Sequence, residues 1–312
     1  MARALYGSGG FYLREQPADH FRTAVHASPL LAAAVQALVA RVAHELGDDI
    51  TVVDVGAGGG ELLAALASTA PESWRLVGVE LRPRPGGLPE RVEWTDECEY
   101  GIRGVLIAHE LLDNIPVDVV ERVDGSWRQV LVDSSGTEST GPVATHEQLQ
   151  WLARWWPDPS DGDRVEVGLA RDTFWSDLAS RLDAGMAVAV DYALEPERMR
   201  RGTLTGYRQG QQVTPVPDGS CDLTAHVHLE SVAVAGVAAG LDGTRLVDQH
   251  ALLSELGIAA ARPAYSLAQS DPAAYLRALS RVGELSELSD PAGLGGFRWL
   301  IQSRGLSAAA TG

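Results

Sequence analysis

The residues with the clearest chemical potential in this 312-residue sequence form a glycine-rich loop and an acid that follows it. The loop lies between a β-branched run and a helical run, and it consists of Asp54, Gly56, Ala57, Gly58 and Gly60. Glycines at such a place let the backbone approach a ligand closely and direct free amide groups at it. Glu80 ends the next predicted strand. Its separation along the sequence from the glycine loop is about that of the acid that binds ribose hydroxyls in nucleotide-binding units. Together the two features predict a site for a ribose-bearing ligand, although a glycine-rich turn also occurs in α/β proteins that bind nothing there.

The loop lacks the third glycine that dinucleotide-binding folds require. Glu61 stands where the pattern G-x-G-x-x-G needs a glycine, which disfavours NAD and FAD. A ligand with a ribose but no pyrophosphate fits better, and S-adenosylmethionine is such a ligand. Its amino-acid end would lie over the glycine turn and its ribose against Glu80. Asp96, just past the third predicted strand, either accepts a hydrogen bond from the adenine amino group or only starts a loop.

A second group of polar residues follows the fourth predicted strand. Glu110 and Asp113 are spaced so that on one helical turn they would share a face. They would lie at the carboxyl ends of the strands, where open α/β sheets bind ligands. Paired carboxylates there can hold a guanidinium bidentately and orient one of its nitrogens. Alternatively, Asp113 only caps the turn that ends at Pro116.

Further candidates lie in the C-terminal half. Asp222 and His226 are predicted to begin a helix, with Asp222 or Thr224 as its N-cap. His226 either accepts a proton or hydrogen-bonds the backbone of a neighbouring strand end. Tyr192 either forms a wall of the pocket or packs in the core.

The elements that position these residues alternate between strand and helix. Helices are predicted over Pro29–Leu46 and Glu61–Ala67. Strands are predicted for the apolar and β-branched runs at 50–55, 75–80, 91–94, 104–108, 186–191, 244–247 and 296–301. Alternating strands and helices imply right-handed crossovers and a parallel sheet.

The pattern changes after Pro116. Residues 117–123 and 126–133 alternate around Asp124-Gly125, which predicts a β-hairpin inserted into the fold. Helices are predicted over 146–156 and 169–182. The Gly/Pro-rich segment 193–222 is predicted as a long loop, followed by an Ala/Val helix that ends near Gly240.

The composition disfavours several classes of partner. Acidic side chains outnumber basic ones by 42 to 25, for a net charge of −17, so we expect binding neither to nucleic acid nor to a membrane. The longest apolar stretch, at 30–39, is predicted to be too short to cross a bilayer. The start has no apolar signal-like segment and the two cysteines match no metal or redox spacing. We therefore expect a cytoplasmic protein without a metal site.

Nearly the whole sequence resembles the MidA-like family of S-adenosylmethionine-dependent methyltransferases, which includes a mitochondrial complex I assembly factor that methylates an arginine of a partner subunit. Several motifs occur in the family's order, which is far more specific than any one of them. The matching segments are Val52–Leu62, Glu80-Leu-Arg82, Glu110-Leu-Leu-Asp113-Asn-Ile-Pro116, Asp191-Tyr192, Gly202-Thr-Leu-x-x-Tyr207 and Asp222-Leu-Thr-Ala-His226-Val.

The resemblance implies an α/β fold of the class I methyltransferase type. Its Rossmann-like sheet would be mostly parallel with an antiparallel last strand, and would carry an N-terminal helical segment and an inserted hairpin and helix region. The cofactor would be S-adenosyl-L-methionine, bound by Asp54, Gly56, Ala57, Gly58, Gly60, Glu80, Leu81 and Asp96. The expected regions are an N-terminal substrate-side and helical segment at 1–49, a cofactor-binding half at 50–116, the insertion at 117–184, and a second half with a long substrate loop at 185–312.

Four positions depart from the family's pattern. His20 and His26 stand where the family has Asp and Glu, His109 replaces an Asn, and Ala193 replaces a Gly. The first two lie in the substrate-side segment, so the departures bear on the methyl acceptor and leave the cofactor residues intact.

The favoured function is N-methylation of a protein arginine. The candidate catalytic residues are Glu110, Asp113, Tyr192 and His226. Methylation of a small molecule is the alternative, in a pocket reshaped by His20, His26 and His109. A non-catalytic assembly or chaperone-like protein of the same fold is a third, and the intact cofactor loop argues against it. The hairpin at Asp124-Gly125 is a candidate contact for a homodimer.

Overall fold

The computed structural model describes residues 1–15, 29–195, 199–258, 262–290 and 293–307. His20 and His26, in the predicted substrate-side segment, lie outside the described residues.

Helices and strands follow one another in an order that agrees with the sequence pattern in the first half of the chain. The elements up to the insertion are α1 (Ala2–Tyr6), α2 (Phe11–Arg14), α3 (Pro29–Leu46), β1 (Thr51–Val55), α4 (Glu61–Ala67), β2 (Arg75–Val79), β3 (Val92–Thr95) and β4 (Ile102–His109). The insertion and the return to the sheet contain β5 (Asp118–Val123), β6 (Ser126–Val132), β7 (Glu138–Val143), α5 (His146–Trp155), β8 (Arg164–Val167), α6 (Leu169–Ser180) and β9 (Leu182–Tyr192). The last part contains β10 (Thr205–Arg208), β11 (Gln211–Val213), β12 (Asp222–Thr224), α7 (Leu229–Ala238), β13 (Thr244–Asp248), α8 (Gln249–Glu255), α9 (Tyr265–Ser270), α10 (Pro272–Ser289) and β14 (Phe297–Arg304).

The central sheet has the topology that the pattern and the family resemblance imply. Within the described residues it has seven strands in the order β13-β14-β9-β4-β1-β2-β3. β9, β4, β1, β2 and β3 run parallel, and β14 pairs antiparallel with both β9 and β13. The carboxyl ends of β1, β2 and β4 therefore meet at one edge, where the loops after these strands can build a common site.

Both faces of this sheet are covered by helices. Along β1, Val52 packs with the apolar residues of α3 and α4, whereas Val53 packs with those of α6 and α7. Successive strand residues point to opposite faces, so a strand with helices on both sides must be apolar at every position. This explains the continuous β-branched run that ends at Val55.

Helix α3 belongs to one of these helical layers. Its 18 residues are, by length and composition alone, long and apolar enough to cross a membrane. The prediction that the apolar stretch at 30–39 is too short to cross a bilayer was therefore wrong for the helix as a whole. Half of this segment is buried inside the fold, against β1 and β4.

The insertion is a larger sheet than the sequence predicted. The hairpin of β5 and β6 is confirmed, and Asp124 and Gly125 both adopt positive φ angles, of 48° and 72°, as a two-residue turn of this type requires. β7 and β8 extend the hairpin to four strands, ordered β7-β6-β5-β8, and neither was predicted. The prediction missed β8 because it is only four residues long and follows a polar loop.

The predicted long loop before α7 also contains secondary structure. β10, β11 and β12 form a small antiparallel sheet within the described residues. The prediction that Asp222 and His226 begin a helix is wrong, because Asp222–Thr224 is β12 and α7 begins at Leu229. The N-cap of α7 is His228, whose side chain accepts a hydrogen bond from the Ser231 amide.

Candidate active site

The carboxyl ends of β1, β2 and β4 enclose one side of a cavity of about 490 Å³. This volume is within the usual range for small-molecule and cofactor sites. The lining residues at the end of β1 and in the loop and helix after it are Asp54, Val55, Gly56, Ala57, Gly58, Gly59, Glu61 and Leu62; those near β2 and β3 are Val79, Glu80, Leu81, Arg82 and Asp96. The segment after β4 contributes His109, Glu110, Leu111, Asn114, Ile115 and Pro116, and Tyr6, Tyr12 and Phe174 complete the lining.

The glycine loop takes a backbone conformation that favours glycine. Gly56, Gly58 and Gly60 have φ angles of 74°, 60° and 79°, in the left-handed region. A Cβ built on Gly58 would meet no atom nearer than 3.8 Å, so the space beside it is open to a ligand.

Gly60 has a different role from the one predicted. The described residues that line the cavity do not include it. A Cβ at this position would lie 2.8 Å from Leu88 Cδ1 and 3.2 Å from the Trp94 ring. Gly60 therefore lets α4 pack closely against Leu88 and Trp94.

Glu80 is held in place by the loop that it faces. Its Oε2 accepts a hydrogen bond from the Gly58 amide at 3.0 Å, and its Oε1 accepts one from the Arg82 amide at 3.2 Å. A carboxylate has further acceptor positions, which ribose hydroxyls can use. Leu81, 63% exposed, and the exposed Asp96 lie beyond it at the rim, where an adenine ring could contact both.

Asp54 lies at the floor of the cavity and is 3% exposed. Burial, reinforced by the nearby carboxylates Glu61 and Glu80, raises the pKa of Asp54 to about 7. A cationic ligand group would oppose both effects and favour the ionised carboxylate. The loop, Glu80 and Asp54 thus fit a ligand that combines a ribose with a positively charged end.

His109 and Glu110 end β4 on the other side of the cavity. Glu110 has a positive φ of 49°, which is uncommon for a residue with a side chain. Its Oε1 lies 3.5 Å from His109 Nδ1. Burial lowers the pKa of His109 to about 3, so its imidazole is neutral, and its Nε2 is buried with no hydrogen-bond partner among the described residues.

Asp113 does not share this face with Glu110, so the predicted pairing of the two carboxylates is wrong. Leu112–Asn114 is a single 3₁₀ turn, and Asp113 is not among the described residues that line the cavity. Its Oδ2 accepts a hydrogen bond from Thr224 Oγ1 at 2.5 Å, and its amide donates one to Asp191 Oδ2. Burial raises the pKa of Asp113 and of Asp191.

The buried guanidinium of Arg171 lies next to Asp113 and Asp191. It donates hydrogen bonds to the backbone oxygens of Asp113, Ala225 and His226, and its charge offsets those of Asp113 and Asp191. Asp113 therefore ties the segment after β4 to β12.

Tyr192 and His226, two of the candidate catalytic residues, are not among the described lining residues. Their rings lie 5.7 Å apart, and His226 Nδ1 is 3.0 Å from the Ala193 carbonyl oxygen. Tyr192 packs on Phe297 with ring centroids 4.2 Å apart, and Phe297 in turn lies 5.8 Å from His109.

Tyr6 and Tyr12 line the cavity but were not predicted from the sequence. They come from α1 and α2, which have five and four residues and show no usable periodicity. These helices are held by tertiary packing of Leu5 and Phe11 on Cys221 and Leu223. In the described part of the chain, no three His, Cys, Asp or Glu side chains converge as metal ligands.

The sequence of the chain matches the family described as "Putative S-adenosyl-L-methionine-dependent methyltransferase" over residues 30–247. It is similar to the mitochondrial protein arginine methyltransferase NDUFAF7 of Danio rerio, with 31% identity over 45% of this chain and 34% of the relative. The mitochondrial NDUFAF7 homolog of Drosophila melanogaster is 29% identical over 41% of this chain and 31% of the relative. The match spans about a third of the length of these curated relatives.

The fold matches solved structures over almost its full length. A crystal structure of a Burkholderia thailandensis protein bound to S-adenosyl-homocysteine has a TM-score of 0.80 and 27% identity, and the match covers 98% of this chain and 87% of that one. A native crystal structure from the same organism has a TM-score of 0.79 and 28% identity, with 98% and 86% covered.

Proposed function

The chain belongs to the family of S-adenosyl-L-methionine-dependent methyltransferases, and we propose that it transfers the methyl group to a guanidinium nitrogen of a protein arginine. When bound, the cofactor would supply a methyl group carried on a positively charged sulfur: the S–C bond breaks as the N–C bond forms, S-adenosylhomocysteine leaves, and the methylated nitrogen gives up one proton to solvent or to the Glu110 carboxylate. The chain's own residues must bind the cofactor, bring an acceptor nitrogen to the methyl group and exclude water from the site. Alignment of the two reactants is the main source of acceleration in such a displacement.

The cofactor side of the cavity contains groups for each part of the ligand. The open space beside Gly58 would receive the amino-acid end, and Asp54 would accept a hydrogen bond from its ammonium group. Glu80, already fixed by the Gly58 amide, would accept hydrogen bonds from the ribose hydroxyls. Leu81 and Asp96, which line the same cavity, would contact the adenine.

The single observation that carries the choice of acceptor is the position of Glu110. Its carboxylate lines the same cavity as the glycine loop, at the end of the strand next to β1. A carboxylate can pair with two nitrogens of a guanidinium, which leaves the third free to approach the methyl group. The neutral His109 beside Glu110 brings no competing positive charge.

Two further observations support an arginine acceptor. The curated relatives are named as protein arginine methyltransferases, although the match to them is partial. The chain also carries a net charge of −17, which would attract a basic peptide over longer distances.

A labelling experiment tests this proposal. The protein is incubated with a cell lysate and methyl-labelled S-adenosylmethionine, and the label is located by mass spectrometry in both proteins and metabolites. We expect label on arginine side chains of one or a few proteins. Label confined to a metabolite would replace the proposal with small-molecule methylation, and label on lysine or on backbone amines would also refute it.

A further inference from the structure

The two tyrosines from the N-terminal helices form one aromatic wall of the cavity. Tyr6 and Tyr12 both line it, and their rings are stacked with centroids 5.5 Å apart and planes inclined by 23°. Their positions do not depend on a ligand, because Leu5 and Phe11 beside them pack into a small apolar cluster.

The hydroxyl groups of both tyrosines are already used within the protein. Tyr12 Oη donates to Asp222 Oδ1 at 2.8 Å, and Tyr6 Oη donates to the backbone oxygen of Asn114 at 3.2 Å. Burial raises the pKa of both phenols, so they stay protonated and cannot serve as bases. What the two residues offer to a ligand is therefore the π surface of their rings.

The surroundings of this wall favour a cation. Glu110 and Glu80 line the same cavity, and aromatic faces attract positively charged groups. Two cations could use it, namely the acceptor guanidinium and the cofactor sulfonium. Asn114, the partner of Tyr6, belongs to the segment that follows β4 and Glu110, which favours the guanidinium, and the test below distinguishes the two cations.

We propose that Tyr6 and Tyr12 hold the guanidinium of the acceptor arginine by cation–π contact while Glu110 pairs with its nitrogens, an inference that rests on the proposed function. The two residues would then select a planar cation and reject neutral acceptors of the same shape.

The test compares variants that keep or remove the ring. Tyr12→Phe retains the π face and loses only the hydrogen bond to Asp222, whereas Tyr12→Leu removes the face; the same pair is made at Tyr6. Tyr265→Leu, on a 73% exposed residue of α9 outside the cavity lining, is the matched control. Circular dichroism and thermal unfolding identify any variant that fails to fold. If the Leu variant at one tyrosine does not fold, the Phe and Leu variants at the other tyrosine are compared instead.

Calorimetry on the protein saturated with S-adenosylhomocysteine measures binding of an arginine peptide and of the same peptide with citrulline, its neutral counterpart. We expect the wild-type protein, both Phe variants and Tyr265→Leu to prefer arginine. The Leu variants should lose about 3- to 30-fold in arginine affinity, the range of a cation–π contact, and little in citrulline affinity.

Three results would overturn this assignment. Leu variants that bind both peptides as the wild-type protein does would show that the rings contribute nothing. Leu variants that lose affinity for S-adenosylmethionine but not for S-adenosylhomocysteine would assign the rings to the sulfonium. Phe variants that lose as much as the Leu variants would assign the effect to the hydroxyl groups.

The proposed function can fail separately. The wild-type protein could prefer arginine over citrulline through these rings and yet transfer no methyl group to arginine. That result would support the guanidinium subsite and refute the proposed methyl transfer.

Discussion

Gly58 and Gly60 provide a sharp test of the site, because the same substitution should mainly reduce ligand affinity at Gly58 and mainly reduce stability at Gly60. In Gly58→Ala the new methyl group meets no protein atom within 3.8 Å and projects into space left for the ligand. Its cost in the free energy of unfolding is about 1–2 kcal/mol, from the positive φ alone. In Gly60→Ala the methyl group would also lie 2.8 Å from Leu88, so a further cost of about 1–3 kcal/mol for overpacking is added.

Denaturant unfolding and calorimetry with S-adenosylhomocysteine separate these effects. Gly58→Ala should be the more stable variant but should lose about 5- to 150-fold in ligand affinity, since overpacking against the ligand costs about 1–3 kcal/mol. Gly60→Ala, measured where it is fully folded, should bind within about threefold of the wild-type protein, which corresponds to less than about 0.7 kcal/mol. A Gly60→Ala protein that loses more affinity than Gly58→Ala would refute the assignment of the turn.

Three further outcomes follow from the same geometry. Glu80→Ala should weaken binding of S-adenosylhomocysteine by about 1–3 kcal/mol in calorimetry, since hydrogen bonds to a charged acceptor are lost; unchanged affinity would contradict its role. Asp113→Asn should reduce stability in denaturant unfolding and leave the ligand affinity of the folded protein unchanged, because Asp113 contacts Thr224 and the Asp191 carboxylate rather than the cavity. Asp54 has a raised pKa in the folded protein, so its protonation stabilises the ligand-free fold at low pH and this contribution is lost as the pH rises to about 7. Relative to Asp54→Asn, the wild-type protein should therefore lose about 2–4 kcal/mol of unfolding free energy between about pH 4 and pH 7, and parallel stability profiles would contradict this.

The cofactor half of the site could be predicted from the sequence because its signals are local. The run into Val55, the glycines after it and Glu80 lie within one strand-loop-helix-strand unit, whose geometry fixes the distance between them. Even here the sequence did not predict that Gly60 packs against Leu88. The two residues are 28 positions apart, and no periodic pattern connects them.

The acceptor half depends on contacts between distant parts of the chain. Asp113 was assigned to the same face as Glu110 on the assumption of a regular helical turn, but its carboxylate meets Thr224, which is 111 residues away. Tyr6 and Tyr12 reach the cavity through packing on Cys221 and Leu223. Such contacts follow from the tertiary fold, and no local pattern in the N-terminal residues indicates them.

The most direct test of the account is the rate of methyl transfer to an arginine peptide by the wild-type protein and by Glu110→Gln. The substitution keeps the size of the side chain and removes its charge. We expect the affinity for S-adenosylmethionine to remain within about twofold, while the turnover measured by isotope-labelled mass spectrometry falls by about 10²–10³-fold, as for loss of one preorganised charge contact. Full activity of Glu110→Gln on arginine would contradict the guanidinium-binding role of Glu110 and, with it, the central claim.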